Sequence, residues 1–220
     1  MIKAIIFDLD GVIIDSEPVA YGILRDMVAP YGGDISLEEY TTQYLGRTVA
    51  MGMTTIKNTF GAPESEEELF SKYMAMEKER VAVGIPLKPY AKEILSYLKE
   101  NNLKTIVASS SVRERAEKIL ESHDILKHFD DLVFGYEVPR GKPYPDIFLK
   151  ACEKLGVSAD EAIVIEDSEA GINASYSANI PVICIPDMKY PVKKYKDMAT
   201  YIVKDLKDAM KIIEDKRNEM

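Results

Sequence analysis

The sequence predicts an α/β protein, a Rossmann-like doubly wound parallel sheet with an all-helical cap domain inserted into it. From residue 84 onward, stretches with helical periodicity alternate with short apolar runs, a pattern typical of parallel βαβ units. Another short apolar run, at residues 2–7, supplies one more buried strand. Between these two regions the patterns are helical. The predicted core is therefore residues 1–15 and 82–220, and the predicted cap is residues 16–81.

The elements of the predicted core follow from the length and composition of each run. Short apolar runs rich in β-branched residues predict strands at residues 2–7, 104–108, 132–134, 162–166 and 182–185. Longer amphipathic stretches predict helices at residues 89–101, 113–122, 145–155 and 169–178, with a terminal helix at residues 204–220.

The predicted cap contains helices separated by glycine-containing turns. These helices are expected at residues 18–29, 37–44, 50–60 and 64–83. Ser36 with Glu39, and Ser65 with Glu68, have the spacing of capping boxes, which fix the N-termini of helices.

Composition limits the partners of the protein. The 220 residues carry a formal net charge of −9, which disfavours binding to nucleic acid or to an anionic membrane surface. No apolar segment reaches the length of a membrane span, and we expect no signal peptide before the first strand. Cys152 and Cys184 give no disulfide framework and are expected to be reduced. We expect a cytoplasmic protein, and a monomer.

Two aspartates one residue apart, Asp8 and Asp10, follow the first predicted strand. The carboxyl end of such a strand is where open α/β sheets bind their ligands. Two carboxylates at this distance repel each other unless a proton or a cation lies between them, and Mg²⁺ prefers such hard oxygen ligands. The alternative is that both are ordinary turn residues, because aspartate and glycine are common in turns.

Further polar residues follow other predicted strands. Ser109 ends one strand, Glu166 and Asp167 end another, and Lys142 lies in a proline-rich loop before a helix. Each alone has an ordinary explanation. The serine could cap a helix, the lysine could be a surface residue, and the acidic pair could be solvated. Together, they would gather acid, hydroxyl and amine groups at one edge of the sheet.

In this order the motifs resemble those of the haloacid dehalogenase superfamily of phosphatases. The matching segments are Asp8-Leu-Asp-Gly-Val12, Ser109, Gly141-Lys142-Pro143 and Glu166-Asp167-Ser168-Glu-Ala-Gly171. The chain is most similar to the subfamily with a helical cap, which includes β-phosphoglucomutase and small sugar-phosphate phosphatases. The resemblance implies a Mg²⁺-dependent phosphatase that hydrolyses small phosphorylated metabolites, with sugar phosphates as the expected class.

The resemblance also implies a role for each core residue. Asp8 would attack phosphorus, and Asp10 would protonate the leaving alcohol and then deprotonate the attacking water. Ser109 would bind a phosphoryl oxygen, and Lys142 would balance negative charge. The implied Mg²⁺ ligands are Asp8, the carbonyl of Asp10 and Asp167, with Glu166 assisting either as a direct ligand or through water. Family members that displace halide lack the second aspartate, so Asp10 favours an oxygen leaving group.

Residues near the cap are candidates for recognising the substrate. The turn Gly46-Arg47-Thr48 is the candidate substrate-facing turn, and Glu17 could contact sugar hydroxyls. For Arg47 the alternative is a salt bridge within the cap. In the core, Ser110 and Ser111 are further candidates, although Ser111 could only cap the following helix.

A mutase and a catalytically silent phosphate-binding protein are the competing interpretations. β-Phosphoglucomutases resemble this chain in the core but carry a histidine at the position of Ala20. They also carry a basic residue at the position of Val49 or Ala50. This chain lacks both the histidine and the basic residue, which favours hydrolysis over a mutase. The complete set of core groups argues against a catalytically silent protein.

Overall fold

The structure, a computed structural model, describes residues 1–218 of the chain. Within them, six strands form one parallel sheet in the order β3-β2-β1-β4-β5-β6. The strands are β1 (Ala4–Phe7), β2 (Lys104–Ser109), β3 (Asp131–Phe134), β4 (Ala162–Glu166), β5 (Val182–Cys184) and β6 (Tyr201–Ile202). The helices are α1 (Glu17–Val28), α2 (Leu37–Gln43), α3 (Val49–Phe60), α4 (Glu66–Val83), α5 (Ala91–Glu100), α6 (Arg113–Ser122), α7 (Asp146–Leu155), α8 (Glu169–Ser177), α9 (Lys193–Lys196) and α10 (Leu206–Asn218).

The chain divides into two compact units. One consists of Met1–Asp15 with the chain from Pro86 onward, and we call it the α/β unit; the other, Ser16–Ile85, we call the helical unit. The helical unit ends at Ile85, four residues beyond the predicted boundary at residue 81.

The sheet of the α/β unit places β1 between β2 and β4. All four residues of β1 are fully buried, and Phe7 lies opposite Val107 on one side and Ile165 on the other. On one face of the sheet, Ala4 and Ile6 belong to an apolar cluster with residues of α7 and α8. This arrangement brings the carboxyl ends of three adjacent strands together, at Asp8, Ser109 and Glu166.

The helical unit begins its helices as the sequence predicts. Ser36 and Ser65 each accept a hydrogen bond from the backbone N–H three residues later, and Glu39 and Glu68 accept one from the serine N–H, so both capping boxes are confirmed. Tyr31 donates a hydrogen bond to Glu64 across the unit at 2.7 Å.

The sequence patterns did not predict β6 and α9, and some predicted boundaries differ from those in the structure. The first strand begins at Ala4 rather than at residue 2. The strand β6 has two half-buried residues, and its strand character comes from pairing with β5 rather than from a recognisable run. The predicted terminal helix is α10, and residues 219–220 lie outside the described residues. Within residues 1–218, no helix combines the length and the apolar character needed to cross a membrane.

Candidate active site

The turn after β1 carries Asp8 and requires a glycine. The Asp8 N–H donates to Ile165 O at 2.9 Å, which ties the strand end to β4. Gly11 has a φ of +79°, a conformation that other residues rarely adopt. A Cβ on Gly11 would also overlap the Asp167 carboxylate. The motif's glycine therefore permits the turn and lets the second acidic motif approach the first.

Lys142 is the buried cation of the site. Its Nζ donates to Asp8 Oδ1 and, at 2.6 Å, to Glu166 Oε1, and only 6% of its side chain is exposed. The ammonium also lies 5.1 Å from the centre of the Phe148 ring on α7. The loop that carries Lys142 is closed by an ion pair of 3.0 Å between Arg140 and Asp146. The alternative of a surface lysine is therefore excluded.

Glu166 is fully buried, and both of its carboxylate oxygens accept hydrogen bonds. While Oε1 accepts from Lys142, Oε2 accepts from the backbone N–H groups of Asp167 and Ser168 at 2.9 and 2.8 Å, and from the Ser168 hydroxyl at 2.9 Å. A Cβ on Gly171 would overlap the Glu166 carboxylate. The glycine of this motif is thus explained by the close approach of Glu166 to α8.

Burial and mutual repulsion perturb these acids. Burial raises the pKa of Asp8 to about 7; Lys142 opposes this increase and Glu166 adds to it. Burial, with Glu166 and Asp8, also raises the pKa of Asp167 well above its usual value. Burial alone would lower the pKa of Lys142, but Asp8 and Glu166 outweigh it, so the pKa is raised and the ammonium stays charged.

The cluster fits a divalent cation. Asp8, Glu166 and Asp167 each offer a carboxylate oxygen, and these three atoms lie within 4.8 Å of one another. Three ionised carboxylates against one ammonium leave two negative charges unbalanced in a buried place, which costs free energy without a counterion. The donor set is all oxygen, as hard cations such as Mg²⁺ prefer.

The serines after β2 differ from one another. Ser109 is 1% exposed, and its hydroxyl oxygen accepts a hydrogen bond from the Ser111 N–H at 3.0 Å. Ser110 is exposed. The N-cap residue of α6 is Val112, without a side-chain capping bond, so the alternative of Ser111 as the cap is not observed.

Arg115 was not found by sequence reasoning. Its guanidinium donates to Asp10 Oδ1 at 2.8 Å and to Oδ2 at 3.1 Å, and to the Ser111 hydroxyl at 3.0 Å. The one sequence signal is its position four residues after Ser111, which places both side chains on one face of a helical turn.

The candidates in the helical unit have local contacts there. Glu17 accepts a hydrogen bond from the Tyr40 hydroxyl. Thr48 caps α3 by accepting from the Met51 N–H at 3.3 Å, and Gly46 has a φ of +74°. Arg47 is exposed and forms no salt bridge with any residue of 1–218, so the alternative of an ion pair within the cap is not observed.

The sequence profile of the haloacid dehalogenase-like hydrolases matches residues 2–178. The chain belongs to this family. As a haloacid dehalogenase-like hydrolase it has the expected fold: a β-phosphoglucomutase structure from Clostridium difficile superposes with a TM-score of 0.77 at 26% identity, covering 100% of this chain and 98% of that one.

Two curated relatives of this haloacid dehalogenase-like hydrolase are named as phosphatases. A phosphorylated carbohydrates phosphatase of Thermotoga maritima is 33% identical over 179 residues, 81% of this chain and 82% of its own. Hexitol phosphatase B of Escherichia coli K12 is 33% identical over 187 residues, 84% of each. The predicted family, fold class and enzyme class, a phosphoric monoester hydrolase, are confirmed.

Proposed function

We propose that this chain is a Mg²⁺-dependent phosphatase that hydrolyses small phosphate monoesters, sugar phosphates above all, through an aspartyl-phosphate on Asp8. The observation that carries the proposal is the cluster of Asp8, Lys142, Glu166 and the half-buried Asp167. A second aspartate, Asp10, follows Asp8 by two residues. The family and its phosphatase relatives support the reaction class.

Asp8 is the proposed nucleophile. One of its carboxylate oxygens forms a bond to phosphorus while the bond from phosphorus to the alcohol oxygen breaks, which divides the reaction into two steps. Lys142 donates to Asp8 and so fixes its orientation, while Glu166 and the hydrogen bonds to its other oxygen hold Lys142 in place. The lysine also supplies positive charge where the phosphoryl oxygens gain negative charge.

Asp10 is the proposed acid and base. It gives a proton to the departing alkoxide in the first step and takes one from the water that attacks the aspartyl-phosphate in the second. Ser109 ends the strand beside β1, and its hydroxyl is proposed to donate to a phosphoryl oxygen. Ser110 and Ser111 are proposed to bind the same group through the backbone and side chain of their turn.

The proposed metal ligands are the carboxylates of Asp8, Glu166 and Asp167 and the carbonyl of Asp10. Glu166 is proposed to act directly or through a water molecule, since both of its oxygens already accept hydrogen bonds. When bound, Mg²⁺ supplies positive charge that keeps these carboxylates ionised and screens Asp8 from the anionic phosphate.

Recognition of the rest of the substrate is assigned to Glu17 and the turn Gly46-Arg47-Thr48. Arg47 is the strongest candidate, because it is an exposed cation without an ion-pair partner among residues 1–218. Its guanidinium could donate to a hydroxyl or to a second anionic group. The cytoplasmic location and the monomeric state remain predictions.

The test is release of inorganic phosphate from a panel of sugar phosphates with Mg²⁺, with the Asp8→Asn variant as the blank. Release that disappears in the variant supports hydrolysis at this site and ranks the substrates. If no ester releases phosphate and no glucose 6-phosphate forms from β-glucose 1-phosphate, with the protein folded and Mg²⁺ present, the proposal is overturned in favour of a silent phosphate-binding protein.

The same assay separates the phosphatase from a β-phosphoglucomutase, which shares the fold. β-Glucose 1-phosphate is included in the panel, and glucose 6-phosphate is followed in parallel. Formation of glucose 6-phosphate without free phosphate would identify a mutase. Ala20, Val49 and Ala50 occupy the positions where the mutase pattern has its histidine and basic residue, so we expect hydrolysis.

A further inference from the structure

The two aspartates of the first motif have different cations. Asp8 is paired with Lys142, which the proposed mechanism uses, whereas Asp10 is paired with Arg115 of α6. Arg115 binds both carboxylate oxygens, at 2.8 and 3.1 Å, across a separation of 105 residues. A guanidinium that binds both oxygens fixes the plane of the carboxylate as well as its position, which a single lysine contact does not do.

The surroundings of Arg115 hold the guanidinium in place. Its side chain is 14% exposed, and the Ser111 hydroxyl accepts a further hydrogen bond from the nitrogen that contacts Asp10 Oδ2. The side chain of Asp10 is 32% exposed, so the carboxylate has solvent on one side and would be free to rotate without a partner. Arg115 thus connects the serine turn after β2 to the acid after β1.

The packing of α6 does not depend on Arg115. The apolar face of this helix consists of Ala116, Ile119 and Leu120, all buried. Its other arginine, Arg113, pairs with Glu117 and Glu137 at 3.1 and 2.8 Å. The buried apolar face and Arg113 thus hold the helix in place, and Arg115 extends to Asp10 and Ser111.

We propose that Arg115 is a positioning residue that orients the carboxyl group of Asp10, so that the proton on one oxygen passes to the leaving alkoxide while the other oxygen keeps its hydrogen bond to Arg115. This inference rests on the proposed function. A proton donor must lie within hydrogen-bond reach of the leaving oxygen in the right direction, and a freely rotating carboxylate meets this condition only part of the time. Arg115 restricts that rotation while leaving the chemistry to Asp10.

The experiment uses two substrates that differ in their need for a proton. A sugar monophosphate, in which the phosphoryl group is esterified to an alcohol, releases an alkoxide that must be protonated. By contrast, p-nitrophenyl phosphate releases a stable phenolate. The measured quantity is kcat/KM, which covers the steps up to release of the alcohol. The ratio of the two values within one preparation does not depend on the fraction of folded protein, so partial unfolding of a variant cannot produce the effect.

We expect Arg115→Met to lower kcat/KM for the sugar phosphate about tenfold more than for p-nitrophenyl phosphate, with the loss mainly in kcat. Asp10→Asn should also lower kcat/KM for the sugar phosphate more than for p-nitrophenyl phosphate, and by a larger factor than Arg115→Met. Arg115→Lys, which keeps the charge but not the two-pronged contact, should recover part of the ratio. Arg113→Met on the same helix is the matched control and should leave the ratio unchanged.

Equal losses for both esters in Arg115→Met would overturn the inference, because the arginine would then bind phosphate or support the fold. A change confined to KM would also overturn it. If the wild-type protein hydrolyses neither ester, the proposed function itself fails. If it hydrolyses both and Asp10→Asn shows no dependence on the leaving group, the acid role of Asp10 fails together with the inference.

Discussion

The α/β unit has a buried cluster of charged side chains, whereas the ion pairs within the described residues of the helical unit are exposed. At the carboxyl ends of β1 and β4 the α/β unit buries Asp8 and Glu166 around one lysine. In the helical unit the ion pairs lie at the surface, as in Arg25 with Asp34 and Arg80 with Asp26, where every partner is about half exposed or more. Exposed pairs contribute little to stability, whereas a buried charge must be compensated.

In the proposed mechanism, this difference separates the reactive groups from the residues that would recognise the substrate. Burial gives Asp8 its raised pKa and its dependence on Lys142 and a counterion, so the reactive groups are fixed and mutually dependent. The candidate recognition residues of the helical unit include Arg47, which is exposed. Substitutions in the α/β unit should therefore affect turnover or stability strongly, and matched substitutions in the helical unit should not.

Removing the proposed nucleophile should have the largest effect. We expect Asp8→Asn to reduce turnover on the order of a thousandfold or more, because the amide cannot form the aspartyl-phosphate. Phosphate release under saturating substrate is the measurement. Asp26→Asn, which removes one partner of an exposed ion pair in the helical unit, should retain activity close to wild type. Comparable losses in the two variants would contradict the division between the units.

The pH dependence of stability should depend on the metal. Burial raises the pKa of Asp8 from 3.8 to about 7, so between these values the folded protein holds a proton that the unfolded chain has released. The contribution of the Asp8 carboxyl group to the free energy of unfolding is therefore fully present below about pH 4, and it is lost as the pH rises to about 7. Without metal, we expect the free energy of unfolding to fall over this window.

Mg²⁺ should oppose this loss of stability, because it binds the ionised carboxylates. At about one hundred times its Kd it should stabilise the folded state by about 2.7 kcal/mol at pH 8 and by much less at pH 5. Thermal unfolding with EDTA or Mg²⁺ at the two pH values measures this difference. In Asp167→Asn the Mg²⁺ effect at pH 8 should be smaller. An equal increase in Tm at both pH values would argue against the metal site.

Two glycine-to-alanine substitutions should have opposite signs. A Cβ at Gly171 on α8 would overlap the Glu166 carboxylate, so we expect Gly171→Ala to lower the free energy of unfolding by about 1–3 kcal/mol. At Gly22, inside α1, a Cβ would meet nothing within 4 Å, and alanine should stabilise by about 0.5–1 kcal/mol. Urea titration of both variants measures the difference. Destabilisation by both would show that the helical unit is packed as tightly as the site.

The smaller predicted effect on catalysis belongs to Arg47. If its guanidinium donates to the substrate, Arg47→Ala should raise KM for the preferred ester about tenfold, the loss expected for one charged hydrogen bond. Arg25→Ala, which removes an arginine already paired with Asp34 in the same unit, should leave KM unchanged. Unchanged kinetics in Arg47→Ala would remove this residue from the substrate site.

Much of the α/β unit could be predicted because its strands are recognisable from consecutive residues in the sequence. A buried parallel strand must be apolar along its length, so β1, β2 and β4 are visible as runs, and the polar residues that end them mark the edge where ligands bind. The strand β6 could not be recognised in this way, since two half-buried residues become a strand only through pairing with β5.

Sequence alone determined the order of the motifs and hence the family, the fold class and the identity of Asp8, Asp10, Ser109 and Lys142 as candidates. Only the tertiary structure decided which groups pair: Glu166 with Lys142, and Arg115 with Asp10. The physical reason is that a strand end is set by neighbours along the chain. An ion pair across 105 residues depends instead on where α6 packs after β2, which no local pattern encodes.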